Sequence, residues 1–173
     1  MFVLALLILV QGTRRLIWTI TAFTIAHSFT LAAATLGFIN FSQAPIEAVI
    51  ALSIVFVATE ITHANRGRPG LTQRKPWIVA FTFGLLHGFG FAGALTEVGL
   101  PEQAVPLALL FFNLGVEFGQ LSFVGAVILL AALAKRFSGD LPTWLPTASA
   151  YAIGTIASFW MIERVVGFWT SAT

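Results

Sequence analysis

The sequence predicts an all-α fold: a polytopic transmembrane helical bundle of five full spans plus a short, incomplete N-terminal helix. Two observations carry that expectation. Of the 173 residues, 58% are hydrophobic and only 9% are charged, with a mean hydropathy of +0.92; a soluble domain carries about 25% charged residues. The apolar residues also gather into runs of roughly 20, the length a helix needs to cross a hydrocarbon core about 30 Å thick. Because the hydrophobicity extends over the whole chain, residues 1–173 are expected to form a single integral membrane domain.

The opening stretch, "MFVLALLILVQGTRR", offers only about ten apolar residues before Gln11, too few to cross. A signal peptide would place its positive charges first and a small-residue cleavage site last, whereas here Arg14 and Arg15 follow the apolar run. Residues 1–12 therefore read as the second half of a transmembrane helix. Full spans are expected at 16–38, 46–64, 77–95, about 104–134 and 147–169. The fourth is long enough to tilt or to begin with a turn on the interface. Pro45, Pro76, Pro101 and Pro146 stand near the span starts, where proline is tolerated.

The loops fix an orientation. All lysines and arginines except Arg164 lie in alternate connections: Arg14 and Arg15, then Arg66, Arg68, Arg74 and Lys75, then Lys135 and Arg136. The intervening loops "INFSQA" and "TEVGLPEQ" hold none. Basic loops stay in the cytoplasm, so a multi-pass protein of a plasma membrane is expected with its C-terminus outside. The same placement explains the pI near 9.7 without nucleic acid as a partner; the expected partners are the lipid bilayer and a small ion.

Composition narrows the chemistry. Cysteine is absent and there are two methionines, which removes thiol nucleophiles, thiolate sites and a soft Cu(I) path. A metal here would be held by imidazole, carboxylate and amide donors, which suit Ni, Co, Zn or Mn. His27, His87 and Glu117 each stand roughly ten residues or a little more into their spans, which at about 1.5 Å per residue is near mid-membrane. A carboxylate there costs about 2.5–3.5 kcal/mol on insertion scales, so three such groups at one depth point to a site. Asn113, Glu117 and Gln120 share one helical face by their spacing. Gly84 and Gly88 flank His87, and Gly115 and Gly119 form a second small-residue pair for close helix approach.

Blander readings accompany each. His27, His87 and Glu117 can serve as interhelical hydrogen-bond partners, as can Asn113 and Gln120. Glu47 and Glu60 lie near opposite ends of their span, with Ser53 between them, and can reach the interfaces. "EITH", Glu60 to His63, has the Glu-x-x-His spacing of di-iron bundles, but such sites need a second copy and the chain has none. Glu163 and Arg164 read as a local ion pair near the last helix end.

The motifs "FTIAHSFTLAAATLG", "PIEAVIALSIVFVATE", "FGLLHGFGFAGALTEVGLP" and "LLFFNLGVEFGQL" closely resemble those of the HupE/UreJ family of bacterial membrane proteins, in order and over nearly the whole chain. The resemblance implies a helical-bundle secondary permease of the bacterial inner membrane, associated with nickel supply to hydrogenase and urease. It implies metal contacts at His27, Glu47, Glu60, His87, Asn113, Glu117 and Gln120, with a divalent transition metal (Ni, Co or Zn) as substrate and no organic cofactor. Family members carry a Gly-x-Asp-His motif early in the first helix; this sequence starts after that point, so the N-terminal part of that helix is expected to be missing.

Three functions compete. A divalent-metal permease would replace hydration waters with imidazole nitrogens and a carboxylate. An intramembrane metal-dependent hydrolase would use the same groups to hold Zn²⁺ with an open position for water, but no fourth strong ligand or dedicated base stands out. A non-catalytic accessory protein for metalloenzyme assembly would use the polar groups for packing, with maturation proteins or copies of this chain as partners. The expectation is a permease and not an enzyme.

Overall fold

A computed structural model describes residues 1–39, 42–97 and 102–171. The described residues form α1 (Phe2–Leu9), α2 (Thr13–Thr35), α3 (Gln43–Asn65), α4 (Leu71–Arg74), α5 (Pro76–Glu97), a 3₁₀ turn (Glu102–Ala104), α6 (Val105–Ser138) and α7 (Leu145–Ser171). Helices α2, α3, α5, α6 and α7 are each long and apolar enough to cross a membrane. The eight residues of α1 reach only about 12 Å. All five spans and the short first helix stand where the apolar runs predict, and the 3₁₀ turn leads into α6 as its length suggests. The one-turn helix α4, inside a basic loop, has no apolar pattern and was not expected; Pro101 lies outside the described residues.

Helix ends follow from local chemistry. Proline opens α5 at Pro76 and stands second in α6 (Pro106) and α7 (Pro146), where its missing N–H breaks no helical bond. Helix α2 stops at Thr35, before the predicted Phe38, because Gly37 turns the chain at φ 77°. There the Phe38 N–H reaches back to the Ala33 carbonyl at 3.0 Å, and Gly37 donates to Ala34 at 3.1 Å. The pairing of a left-handed glycine with a long backward bond satisfies carbonyls that a helix end would otherwise leave bare. Gly67 ends α3 in the same way.

In lipid, apolar burial does not drive helices together, so close packing and hydrogen bonds must. The most intimate pair is α2 with α5, which run parallel. A Cβ on Gly84 would stand 2.4 Å from the Phe23 carbonyl oxygen, and one on Gly88 would stand 2.4 Å from that of His27. Only glycine admits this crossing. The second intimate pair is α3 with α7, running antiparallel, where Gly154 faces the Ala58 methyl. Helix α1 packs Phe2, Ala5, Leu6 and Leu9 into the interior, mainly beside α3. Helix α6 is the least enclosed: Leu107, Phe111, Phe118 and Leu129 face outward, while Leu109, Asn113 and Val124 are buried. An apolar exterior of this kind suits lipid.

The Gly115 and Gly119 pair does not mediate helix approach in this chain. Both are exposed on α6 with open space where a Cβ would be.

Candidate functional site

His27 is carried by α2 and His87 by α5, and both rings are buried. The glycine crossing brings them to one level, since Gly88 abuts the backbone of His27. Phe23 is shared between them, its ring centroid 5.9 Å from that of His27 and 5.2 Å from that of His87. Phe2 covers His87 from α1 at 5.4 Å, and Phe91 meets His27 edge-on at 5.5 Å. The two imidazoles thus sit in an aromatic box, and among the described residues no carboxylate is bonded to either.

Each ring spends one nitrogen on a neutral partner. His27 Nδ1 lies 3.1 Å from Asn113 Oδ1, while Asn113 Nδ2 donates to the Leu109 carbonyl at 2.8 Å. That second bond orients the amide, and an amide oxygen only accepts. Neutral His27 therefore carries its proton on Nδ1 and keeps a lone pair on Nε2. His87 Nε2 lies 3.1 Å from Ser53 Oγ, and the Ser53 hydroxyl proton is already given to the Ile50 carbonyl at 2.6 Å. Ser53 offers His87 a lone pair, so neutral His87 is protonated on Nε2 and keeps its lone pair on Nδ1. Metal-binding histidines are typically oriented in this way, by a bond from the second ring nitrogen.

Glu117 belongs to a different contact. It accepts from Thr21 Oγ1 at 2.7 Å, bridging α6 to α2. That bond lies about one turn nearer the basic loops than the His27–Asn113 bond, because α2 and α6 run antiparallel. Gln120 continues the same face of α6, and its Oε1 is buried without a hydrogen-bond partner. Asn113, Glu117 and Gln120 therefore form a polar file directed at α2. Among the described residues no three His, Asp or Glu side chains come close enough together to hold a metal ion.

The remaining acidic candidates are engaged elsewhere. Glu60 is buried and accepts from the backbone N–H groups of Leu71 and Thr72 at 2.6 and 2.7 Å. Both its oxygens cap α4. Glu47, half-buried, pairs with Arg164 of α7, Nε to Oε2 at 3.2 Å. This corrects the expected Glu163–Arg164 pair: adjacent helical residues point away from each other, and Arg164 reaches across to α3. His63 is exposed at the end of α3, away from His27 and His87.

Sequence reasoning missed Thr21 as a partner and gave Ser53 no role. Ser53 had a signal, being a hydroxyl near the middle of an otherwise apolar span. Thr21 was hidden among the several threonines of α2.

A family model described as HupE / UreJ protein matches residues 1–164. No curated protein and no solved structure matches the chain.

Proposed function

The chain belongs to the HupE/UreJ family, and from that premise we propose that it is a secondary permease for a divalent transition metal of the nickel type. The family is associated with nickel or cobalt transport and with urease or hydrogenase maturation. One observation carries the reading for this chain: two buried histidines on adjacent helices each have one nitrogen pinned by a neutral partner and a lone pair left on the other. Neutral imidazole nitrogen is the donor that suits borderline divalent cations.

In this reading the metal is cargo. His27 Nε2 and His87 Nδ1 replace two hydration waters. Glu117 and Gln120 lie on the side toward the basic loops and receive the ion as it leaves, Glu117 giving up its bond to Thr21. Both imidazoles must be neutral and Glu117 ionised to bind, so protons compete with the metal and affinity falls on acidification. At the other end Glu47 provides a carboxylate that an incoming cation reaches by displacing Arg164.

Proteoliposomes loaded with a metal-sensitive dye test this. Nickel uptake is expected in the wild type and should fall about tenfold or more in His27→Ala, His87→Ala and Glu117→Gln, with His63→Ala unaffected. Absence of uptake, with the protein folded and inserted, would favour an accessory role. Uptake that survives all three substitutions would remove the midplane site.

A further inference from the structure

A cleft of about 680 Å³ opens between the beginnings of α2 and α5, lined by Gly12, Arg14, Arg15, Trp18, Thr19, Ala22, Pro76 and Trp77. We propose that it is a binding site for one anionic glycerophospholipid of the leaflet on the basic-loop side. The proposal is independent of the metal reading, because His27, His87 and Glu117 are not among the residues lining the cleft.

Charge is the first argument. Arg14 and Arg15 are among the residues that line the cleft, and no acidic residue is. Arg14 has no hydrogen-bond or ion-pair partner among the described residues, and Arg15 uses one N–H group on the Arg74 carbonyl, at 2.5 Å. A guanidinium carries five N–H donors in a fork that fits a phosphate. The buried carboxylate Glu60 bonds the α4 backbone and forms no ion pair with either arginine.

Shape is the second argument, and it favours a lipid over a free phosphate. From Gly12 to Ala22 the cleft follows α2 for about 15 Å, which is one leaflet of hydrocarbon. Below the arginines its walls are Trp18, Thr19, Ala22, Pro76 and Trp77. Trp18 and Trp77 are 63% and 56% exposed, so the cleft's apolar wall is open to the membrane. Tryptophan favours this depth because its ring is apolar and its N–H polar. A phosphate at the arginines and an acyl chain along the tryptophans would fill both halves of the cleft, as basic pockets between membrane helices do for anionic head groups.

The test uses the full-length protein in nanodiscs, with Trp144, Trp160 and Trp169 replaced by phenylalanine so that Trp18 and Trp77 report. At equal mole fraction, brominated phosphatidylglycerol should quench them more than brominated phosphatidylcholine. Arg14→Gln, which breaks no hydrogen bond in the fold, should reduce the apparent preference roughly fivefold, and the Arg14→Gln/Arg15→Gln pair should reduce it further. Arg14→Lys should keep most of it. Equal quenching by the two lipids would overturn the proposal, as would a preference unchanged in Arg14→Gln. Loss of the preference on adding inorganic phosphate would mean a free-anion site and would also overturn it.

Discussion

An imidazole in hydrocarbon has two nitrogens to satisfy and no water to do it with. In this chain Asn113 and Ser53 each take one, and the donor count of the partner decides which nitrogen keeps the proton. The consequence is measurable without any metal. In ¹⁵N NMR of histidine-labelled protein, His27 should show an unprotonated Nε2 and His87 an unprotonated Nδ1. Ser53→Ala removes the acceptor at His87 alone, so the His87 resonances should move toward a tautomer average while those of His27 hold. Unmoved His87 resonances would show that Ser53 does not set the tautomer. His27, His87 and Glu117 stand out in sequence because ionisable groups at membrane depth are costly and few. Their partners are less so: a hydroxyl in a span is unremarkable until its neighbour is known. Glu60 shows the limit most clearly, since its partners are backbone N–H groups eleven and twelve residues away, in a loop with no pattern to announce a helix.

At the level of helices, one sequence signal had two outcomes. Gly84–Gly88 and Gly115–Gly119 have the same spacing, yet the first pair meets the α2 backbone and the second meets open space. Spacing puts small residues on one face but does not say what that face meets. Substitution separates the two. Gly88→Ala places a methyl against the His27 carbonyl and the Leu31 nitrogen, which are backbone and cannot rotate away, and should destabilise by about 1–3 kcal/mol. Gly115→Ala should leave stability unchanged. Thermal melts of both variants in the same detergent check this, and equal melting points would show that α2 and α5 can separate without cost. Helix positions were readable because a membrane span is set by length and apolarity alone. Helix ends were read less well, since the glycine that stops α2 acts through backbone bonds rather than hydropathy.

For the whole molecule, alternation of basic loops with loops that hold no lysine or arginine agrees with how the helices pair. Asn65 of α3 bonds Thr147 of α7 at the basic-loop end, and Glu47 meets Arg164 at the other, as antiparallel neighbours crossing the same membrane require. The absence of cysteine makes single-cysteine reporters clean. A cysteine at Ser42 should react with a membrane-impermeant thiol reagent in intact cells, and one at Thr143 should react only after lysis. The opposite pattern would invert the orientation and with it the direction in which the Asn113–Glu117–Gln120 file is read.

Helix α4 is only four residues long, yet it joins two halves of the bundle. Glu60 holds its start to α3, Arg15 of α2 holds its last carbonyl, and α5 continues directly from it through Lys75. The α2/α5 pair and the α3/α7 pair are therefore buckled together at one end, like the arms of a pair of tongs. Between these pairs, a polar link further up is the Ser53–His87 bond. Rocking of one helix pair against another is how many secondary transporters alternate access. In the permease proposed above, such a motion would pivot at α4, spread most at the end where Glu47 and Arg164 meet, and release His87 from Ser53 as the arms part.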